Sequence, residues 1–69
     1  SWETVLNKLQ AFREAFHGYQ IQAVAEMTDS ELEALMDNVA IIRNRAKIFA
    51  TRTNAQAFLQ VQKTCLNSE

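Results

Sequence analysis

Hydrophobic residues in the first 17 positions recur at steps of three and four, which places them on one face of a helix. They are Trp2, Val5, Leu6, Leu9, Phe12 and Phe16. The pattern predicts an amphipathic helix over residues 1–17, with Ser1 able to cap its first turn. Gly18 follows at the position where a left-handed residue commonly ends a helix.

Two shorter helices are predicted next. Residues 21–27 carry apolar side chains over one or two helical turns. Thr28 and Glu31 then have the spacing of a capping box, in which the Thr28 hydroxyl accepts the amide of residue 31 and Glu31 reaches back. This signal predicts a helix over residues 29–37, with Leu32 and Leu35 on its buried side.

A longer helix is expected over residues 44–62, after a short apolar connector that contains residues 39–42. The tail, residues 63–69, has weak periodicity and is predicted to fray. Three aromatic side chains are predicted to lie in the core because of their positions in the helical stripes. They are Phe12, Phe16 and Phe58.

Composition excludes most other folds. The chain of 69 residues has no proline and one glycine, so it lacks the turn residues that strands require. We therefore predict a single all-α unit. Its longest apolar run is four residues, far below the roughly 20 of a membrane span. A lone Cys65 and the absence of a visible leader favour a cytoplasmic setting. The missing initiator Met and polar end suggest a piece of a longer protein.

Basic residues are concentrated in one part of the chain, although the formal net charge is only −1. Residues 1–42 hold seven acidic and two basic side chains, whereas residues 43–63 hold five basic and no acidic ones. We call the first four of these the basic edge: Arg43, Arg45, Lys47 and Arg52. Two interpretations are open. The basic edge is a solvated helix start, or it binds an anion, because free helix amides and cations together form a phosphate site.

Candidate catalytic groups are few. Four carboxylates lie at helical spacing (Glu26, Asp29, Glu33 and Asp37), but nothing apolar surrounds them in the pattern, so a solvated face explains them. His17 and Cys65 are too few for a metal site and lie far apart for nucleophilic catalysis.

Trp2 stands apart from the other aromatic residues because it occupies the very start of the chain. A large indole has little to pack against there. Two interpretations follow: it packs on another part of the protein, or it lines a site formed with that part.

Two stretches resemble the bacterial DNA-3-methyladenine glycosylase I family. Residues 1–8 read Ser-Trp-Glu-Thr-Val-Leu-Asn-Lys and are followed by Phe12 and Phe16. Residues 41–48 read Ile-Ile-Arg-Asn-Arg-Ala-Lys-Ile, a specific string, and residues 54–59 continue the match. The resemblance extends over roughly residues 1–61.

The resemblance implies an all-α fold of four short-to-medium helices that belongs to a larger helical glycosylase domain. Residues 29–37, the connector and residues 44–62 would form a helix-hairpin-helix. It would bind duplex DNA through connector amides and neighbouring side chains, and Trp2 would stack on the extruded base as one wall of the base pocket. The implied DNA-backbone residues are Ala40, Ile41, Arg43, Asn44, Arg45 and Lys47.

The implied activity is removal of an alkylated adenine from duplex DNA by hydrolysis of its N-glycosidic bond, in base excision repair. The family's pocket glutamate precedes the Ser-Trp pair, and its zinc ligands lie near both ends of the full-length enzyme. This chain has none of them, so it is expected to hold no cofactor and no catalytic residue and to be inactive alone. The family's hairpin usually has glycine where Ala40 stands.

A non-catalytic helical DNA-binding or dimerisation module is the alternative function. The first and last helices carry more apolar surface than four short helices need to bury. We therefore expect self-association, as a two-fold homodimer.

Overall fold

The computed structural model describes residues 1–67 and contains four α-helices and no strand within that range. Helix α1 spans Trp2–Ala15, α2 spans Ile21–Ala25, α3 spans Asp29–Ala34 and α4 spans Arg45–Asn67. The predicted all-α fold class is confirmed. No helix in the described range is both long and apolar enough to cross a membrane.

The predicted start signals form as expected. The Ser1 hydroxyl oxygen accepts the amide of Thr4 at 3.3 Å and so caps α1. Thr28 and Glu31 form both hydrogen bonds of the capping box at the start of α3. After α3 the chain makes one 3₁₀ turn, Leu35–Asp37, before the connector.

The turn after α1 is left-handed over three residues rather than one. Gly18 has φ 63°, as predicted, but His17 and Tyr19 also have positive φ, at 57° and 62°. A non-glycine residue in this conformation costs roughly 1–2 kcal/mol. The turn is held by hydrogen bonds from the Tyr19 and Gln20 amides to the carbonyls of Phe16 and His17.

One core joins all four helices. It consists of Phe12 from α1, Phe16 directly after α1, Val24 from α2, Met27, Leu32 from α3, Ile41 from the connector, and Ile48 and Ala55 from α4. Phe12 and Phe16 lie there with ring centroids 4.8 Å apart. The prediction for Phe58 is wrong, because its side chain is 48% exposed at the edge of a groove. The α4 register directs Ala55 rather than Phe58 into the core.

Helix α4 is longer than expected and continues five residues beyond the predicted end at residue 62. The segment predicted to fray is therefore helical as far as Asn67, and residues 68 and 69 lie outside the described residues. The sequence from residue 55 to residue 66 contains no glycine or proline that would end the helix.

Candidate nucleic-acid interface

The connector between α3 and α4 is fixed by one buried side chain and one turn. The Ile41 side chain is 1% exposed and belongs to the core. The Ala40 amide donates to Asn38 Oδ1 at 2.9 Å, and the Ile41 amide donates to the Asn38 carbonyl oxygen at 3.4 Å. Asn38 thus organises the turn in the manner of an Asx turn. The two amides implied for phosphate binding are turned toward Asn38.

Asn44 is the N-cap of α4. Its Oδ1 accepts the Lys47 amide at 3.1 Å, and its carbonyl oxygen accepts the Ile48 amide at 2.9 Å. The amides of Arg45 and Ala46 precede these and have no acceptor within residues 1–67. A helix start with unsatisfied amides and a positive dipole end attracts anions.

The three cations predicted for DNA binding have different surroundings. Arg43 is exposed and has no partner within the described part of the chain. Arg45 makes a bidentate ion pair with Glu33 and lies over the Phe49 ring, 4.9 Å from its centroid. The Lys47 ammonium lies 4.9 Å from the centroid of the Phe12 ring. Arg43 therefore has the most available charge.

Arg52 has a structural environment, although the sequence places it in the basic edge. Its guanidinium donates to the Met27 carbonyl at 3.1 Å and pairs with Asp29 at 2.6 Å, and the side chain is only 19% exposed. One turn later, Gln56 Nε2 donates to the Ala25 carbonyl at 3.1 Å. These contacts attach the α2–α3 corner to α4. Arg52 is thus a structural residue and not an available cation of the basic edge.

Lys8 is a neighbour of the connector that the sequence reasoning missed. Its Nζ donates to the Val39 carbonyl oxygen at 3.4 Å. The two residues are 31 positions apart, so neither periodicity nor local charge could reveal the contact. Lys8 thus adds a fourth cation to the candidate interface, at the connector that leads to Arg43, Arg45 and Lys47.

Trp2 lies in the first turn of α1 and is 73% exposed. It is six residues from Lys8, which corresponds to about 9 Å along the helix axis. Val5, Leu6 and Leu9, on the same apolar stripe, are between 39% and 46% exposed. The structure therefore places Trp2 less than two turns along α1 from the residue that meets the connector.

The carboxylates act mainly as structural partners. Glu33 binds Arg45, and the hydrogen bond from the guanidinium lowers the pKa of Glu33. Asp29 binds Arg52, and Glu26 Oε2 accepts a hydrogen bond from Gln22 Nε2 at 2.6 Å. Glu31 has a lowered pKa because it accepts the Thr28 backbone amide. These contacts account for Glu26, Asp29, Glu31 and Glu33 without an acid–base site.

The described residues do not fit the zinc ion that the resemblance implies for a full-length enzyme. Within residues 1–67, no three His, Cys, Asp or Glu side chains come together as a metal site would require. His17 lies in the left-handed turn after α1, and Cys65 is exposed near the end of α4. No step that involves a metal is assigned to this chain.

An open apolar groove of about 210 Å³ lies elsewhere, between the left-handed turn, α2 and α4. Its rim includes Tyr19 and Phe58, and Val24 and Ala55 form its floor. Tyr19 follows the opposite end of α1 from Trp2. The groove is therefore separate from the connector surface.

Comparisons with known proteins agree on one family. The sequence profile described as methyladenine glycosylase matches residues 1–68. The chain is 44% identical over 63 residues to a DNA-3-methyladenine glycosylase of Haemophilus influenzae and 41% identical over 63 residues to DNA-3-methyladenine glycosylase 1 of Escherichia coli. Each alignment covers 91% of this chain and 34% of the relative, so the chain spans about a third of their length. No solved structure matches the chain significantly.

Proposed function

Because the chain belongs to the methyladenine glycosylase family, we propose that it is the DNA-backbone-binding segment of a DNA-3-methyladenine glycosylase. The whole enzyme would act in the cytoplasm on duplex DNA that contains alkylated bases. In this proposal α3, the connector and α4 form a helix-hairpin-helix that holds the phosphate backbone. Trp2 supplies one wall of the pocket for the extruded base.

The proposed reaction is hydrolysis of an N-glycosidic bond in base excision repair. Methylation at N3 gives adenine a positive charge, which makes the base a good leaving group. Water adds to the sugar carbon C1′ and loses a proton to solvent as the C1′–N9 bond breaks. The electron pair of that bond goes to N9, so neutral 3-methyladenine leaves and an abasic site remains. For such a substrate the enzyme mainly extrudes, recognises and positions the base. This segment would contribute backbone binding and stacking rather than a reacting group.

One observation carries the proposal: the connector contacts α1 at Lys8 and the start of α4 contacts it at Phe12, and α1 is the helix that Trp2 begins. Lys8 reaches the Val39 carbonyl and Lys47 lies over Phe12, so both contacts bring the cations beside the same helix. Trp2 begins that helix, about 9 Å along the axis from Lys8. A protein that binds a phosphate and the base extruded beside it needs these two surfaces to be close.

The test compares two exposed cations. Arg43→Gln removes a cation of the interface, and Lys63→Gln removes one about 24 Å further along α4 from Lys47. We expect Arg43→Gln to weaken duplex binding and to reduce the slope of log K against log salt by about 0.9, the value for one phosphate contact. Fluorescence anisotropy with a short labelled duplex measures both quantities. Equal effects of the two substitutions would refute the proposed interface.

A second candidate function is a non-catalytic helical module that dimerises. The observation in its favour is the exposed apolar half of α1, formed by Trp2, Val5, Leu6 and Leu9. This function requires a stable self-association that blocks or replaces DNA binding. Measurements of binding and of association state on one sample separate the two functions.

A further inference from the structure

The ion pair between Glu33 and Arg45 differs from the other contacts in the candidate interface. Both guanidinium nitrogens of the pair bind the two carboxylate oxygens of Glu33. The guanidinium also lies over the Phe49 ring, 4.9 Å from its centroid. Arg45 is therefore held along one edge and on one face, although its side chain is 59% exposed.

Each charge lies at the helix end that its sign disfavours. Glu33 is in the last turn of α3, where the dipole is negative, and Arg45 is the first residue of α4, where the dipole is positive. The ion pair offsets the unfavourable interaction of each charge with its own helix dipole. It also joins the end of α3 to the start of α4. Arg43, two residues before Arg45, has no partner within the described residues.

A phosphate could bind both terminal nitrogens of Arg45 in a bidentate way only by displacing Glu33, and at the remaining N–H groups it would lie beside the Glu33 carboxylate. The displaced carboxylate would then lie unpaired beside the phosphate, where like charges repel each other. Arg43 can meet a phosphate without any such exchange. Bidentate guanidinium–carboxylate geometry also gives this pair more directional contact than a single hydrogen bond.

We propose that Glu33 is a positioning residue that withholds Arg45 from phosphate, so that the pair braces the hairpin and Arg43, Lys47 and Lys8 bind the backbone. The inference rests on the proposed DNA-binding function and changes which residues perform it. The number of phosphates that the hairpin neutralises is then set by a carboxylate of α3. The charge of Arg45 becomes available only when Glu33 is removed.

The decisive variant is the charge-preserving pair Glu33→Gln with Arg45→Gln. Its duplex affinity is measured by anisotropy across a salt series, beside the unsubstituted chain. Because Arg45 contributes no phosphate contact in the proposal, the slope of log K against log salt should stay unchanged. A slope that decreases by about 0.9 would show that Arg45 does contact phosphate, and would overturn the inference.

The single substitution Glu33→Gln provides the opposite readout. It frees Arg45, so binding should tighten and the slope should steepen by up to about 0.9. Glu26→Gln is the matched control, because Glu26 accepts a hydrogen bond from Gln22 and makes no contact with Arg45. Its chain neighbours Ala25 and Met27 contact Gln56 and Arg52, between about 10 and 16 Å along α4 from Arg45. Equal effects of Glu33→Gln and Glu26→Gln would also overturn the inference. Circular dichroism checks that each variant keeps its helices.

The result for the unsubstituted chain separates the two proposals. If it fails to bind duplex at low salt, the proposed function fails and this inference fails with it. If it binds with a salt dependence that Arg43→Gln reduces, the proposed function stands. The inference alone is then wrong if the double variant has a smaller slope or if Glu33→Gln does not steepen it.

Discussion

Two exposed carboxylates, Glu31 and Glu33, link local hydrogen bonds to the pH dependence of stability. Glu31 Oε1 accepts the Thr28 amide at 2.9 Å and the Thr28 hydroxyl at 3.2 Å, and the backbone hydrogen bond lowers its pKa. The hydrogen bond from Arg45 lowers the pKa of Glu33 in the same way. In both cases folding favours the ionised form.

The chain should therefore lose stability on acidification. Since both groups have a lower pKa in the folded state, their contribution is fully present above the ordinary carboxyl value of about 4.5 and disappears as the pH falls through the folded values. Urea unfolding at pH 7 and at pH 3 should show that Glu31→Gln decreases the difference in unfolding free energy between the two pH values. Glu14→Gln, at a carboxylate outside both contacts, serves as the control. Identical pH dependence in all three proteins would contradict this account.

Ala40 restricts the backbone conformation of the connector between α3 and α4. The family resemblance implies glycine at this position, which would allow a left-handed backbone. In this chain only His17 and Tyr19 have positive φ among the described non-glycine residues, so Ala40 keeps an ordinary conformation. Its amide points to Asn38 Oδ1. Side-chain cations and the free amides at the start of α4 are thus better placed for phosphate than the connector amides.

At the scale of elements, α1 has two different halves. Phe12 in its C-terminal half and Phe16 directly after it are buried, whereas Val5, Leu6 and Leu9, nearer its N-terminus, remain between 39% and 46% exposed. The stripe is continuous, because all five residues recur at helical spacing. Because half of this apolar stripe is exposed to water, α1 has a surface that another protein can bury on association.

We predict that this half of α1 mediates self-association, as a two-fold dimer. Leu6→Gln with Leu9→Gln should weaken the association about tenfold or more, since each half-exposed leucine would contribute about 1 kcal/mol on burial. Val61→Gln, at an exposed apolar residue of α4, should leave it unchanged. Sedimentation equilibrium over a range of concentrations measures the effect. A monomer at tens of micromolar would exclude the dimer.

Elements with local signals could be predicted from the sequence, and long-range contacts could not. The capping box of Thr28 and Glu31 and the left-handed Gly18 are encoded within four residues, and the structure contains both. The exposure of Phe58 depends on how α4 is rotated against α2, which its own periodicity does not fix.

In the candidate site, too, local features could be predicted from the sequence and long-range contacts could not. The clustering of cations after residue 42 is visible in the sequence, but their partners are not. Arg52 meets Met27 from 25 positions away, and Lys8 meets Val39 from 31 positions away. Only the packing of α4 and α1 against the rest of the chain decides which cation stays available.

At the scale of the whole molecule, the chain is more extended than a closed domain of its size. Its radius of gyration is 13.9 Å, whereas about 11 Å is typical for 69 residues. Its accessible surface is 5020 Å², against roughly 4400 Å² for a compact protein of 7.9 kDa. Helix α4, about 34 Å long, accounts for much of the 50 Å axis. Trp2 at the start of α1 and Val39 in the connector are each 73% exposed on the surface of this extended chain.

The most direct test of the central claim is to map which surface meets DNA. A ¹⁵N-labelled sample titrated with a short duplex at low salt reports on every backbone amide and on the single indole. The account predicts that shifts concentrate on residues 39–47, on Lys8 and on the Trp2 indole, and that they reverse when salt is added. Shifts along the groove of Tyr19 and Phe58 instead, or no shifts at all, would contradict it.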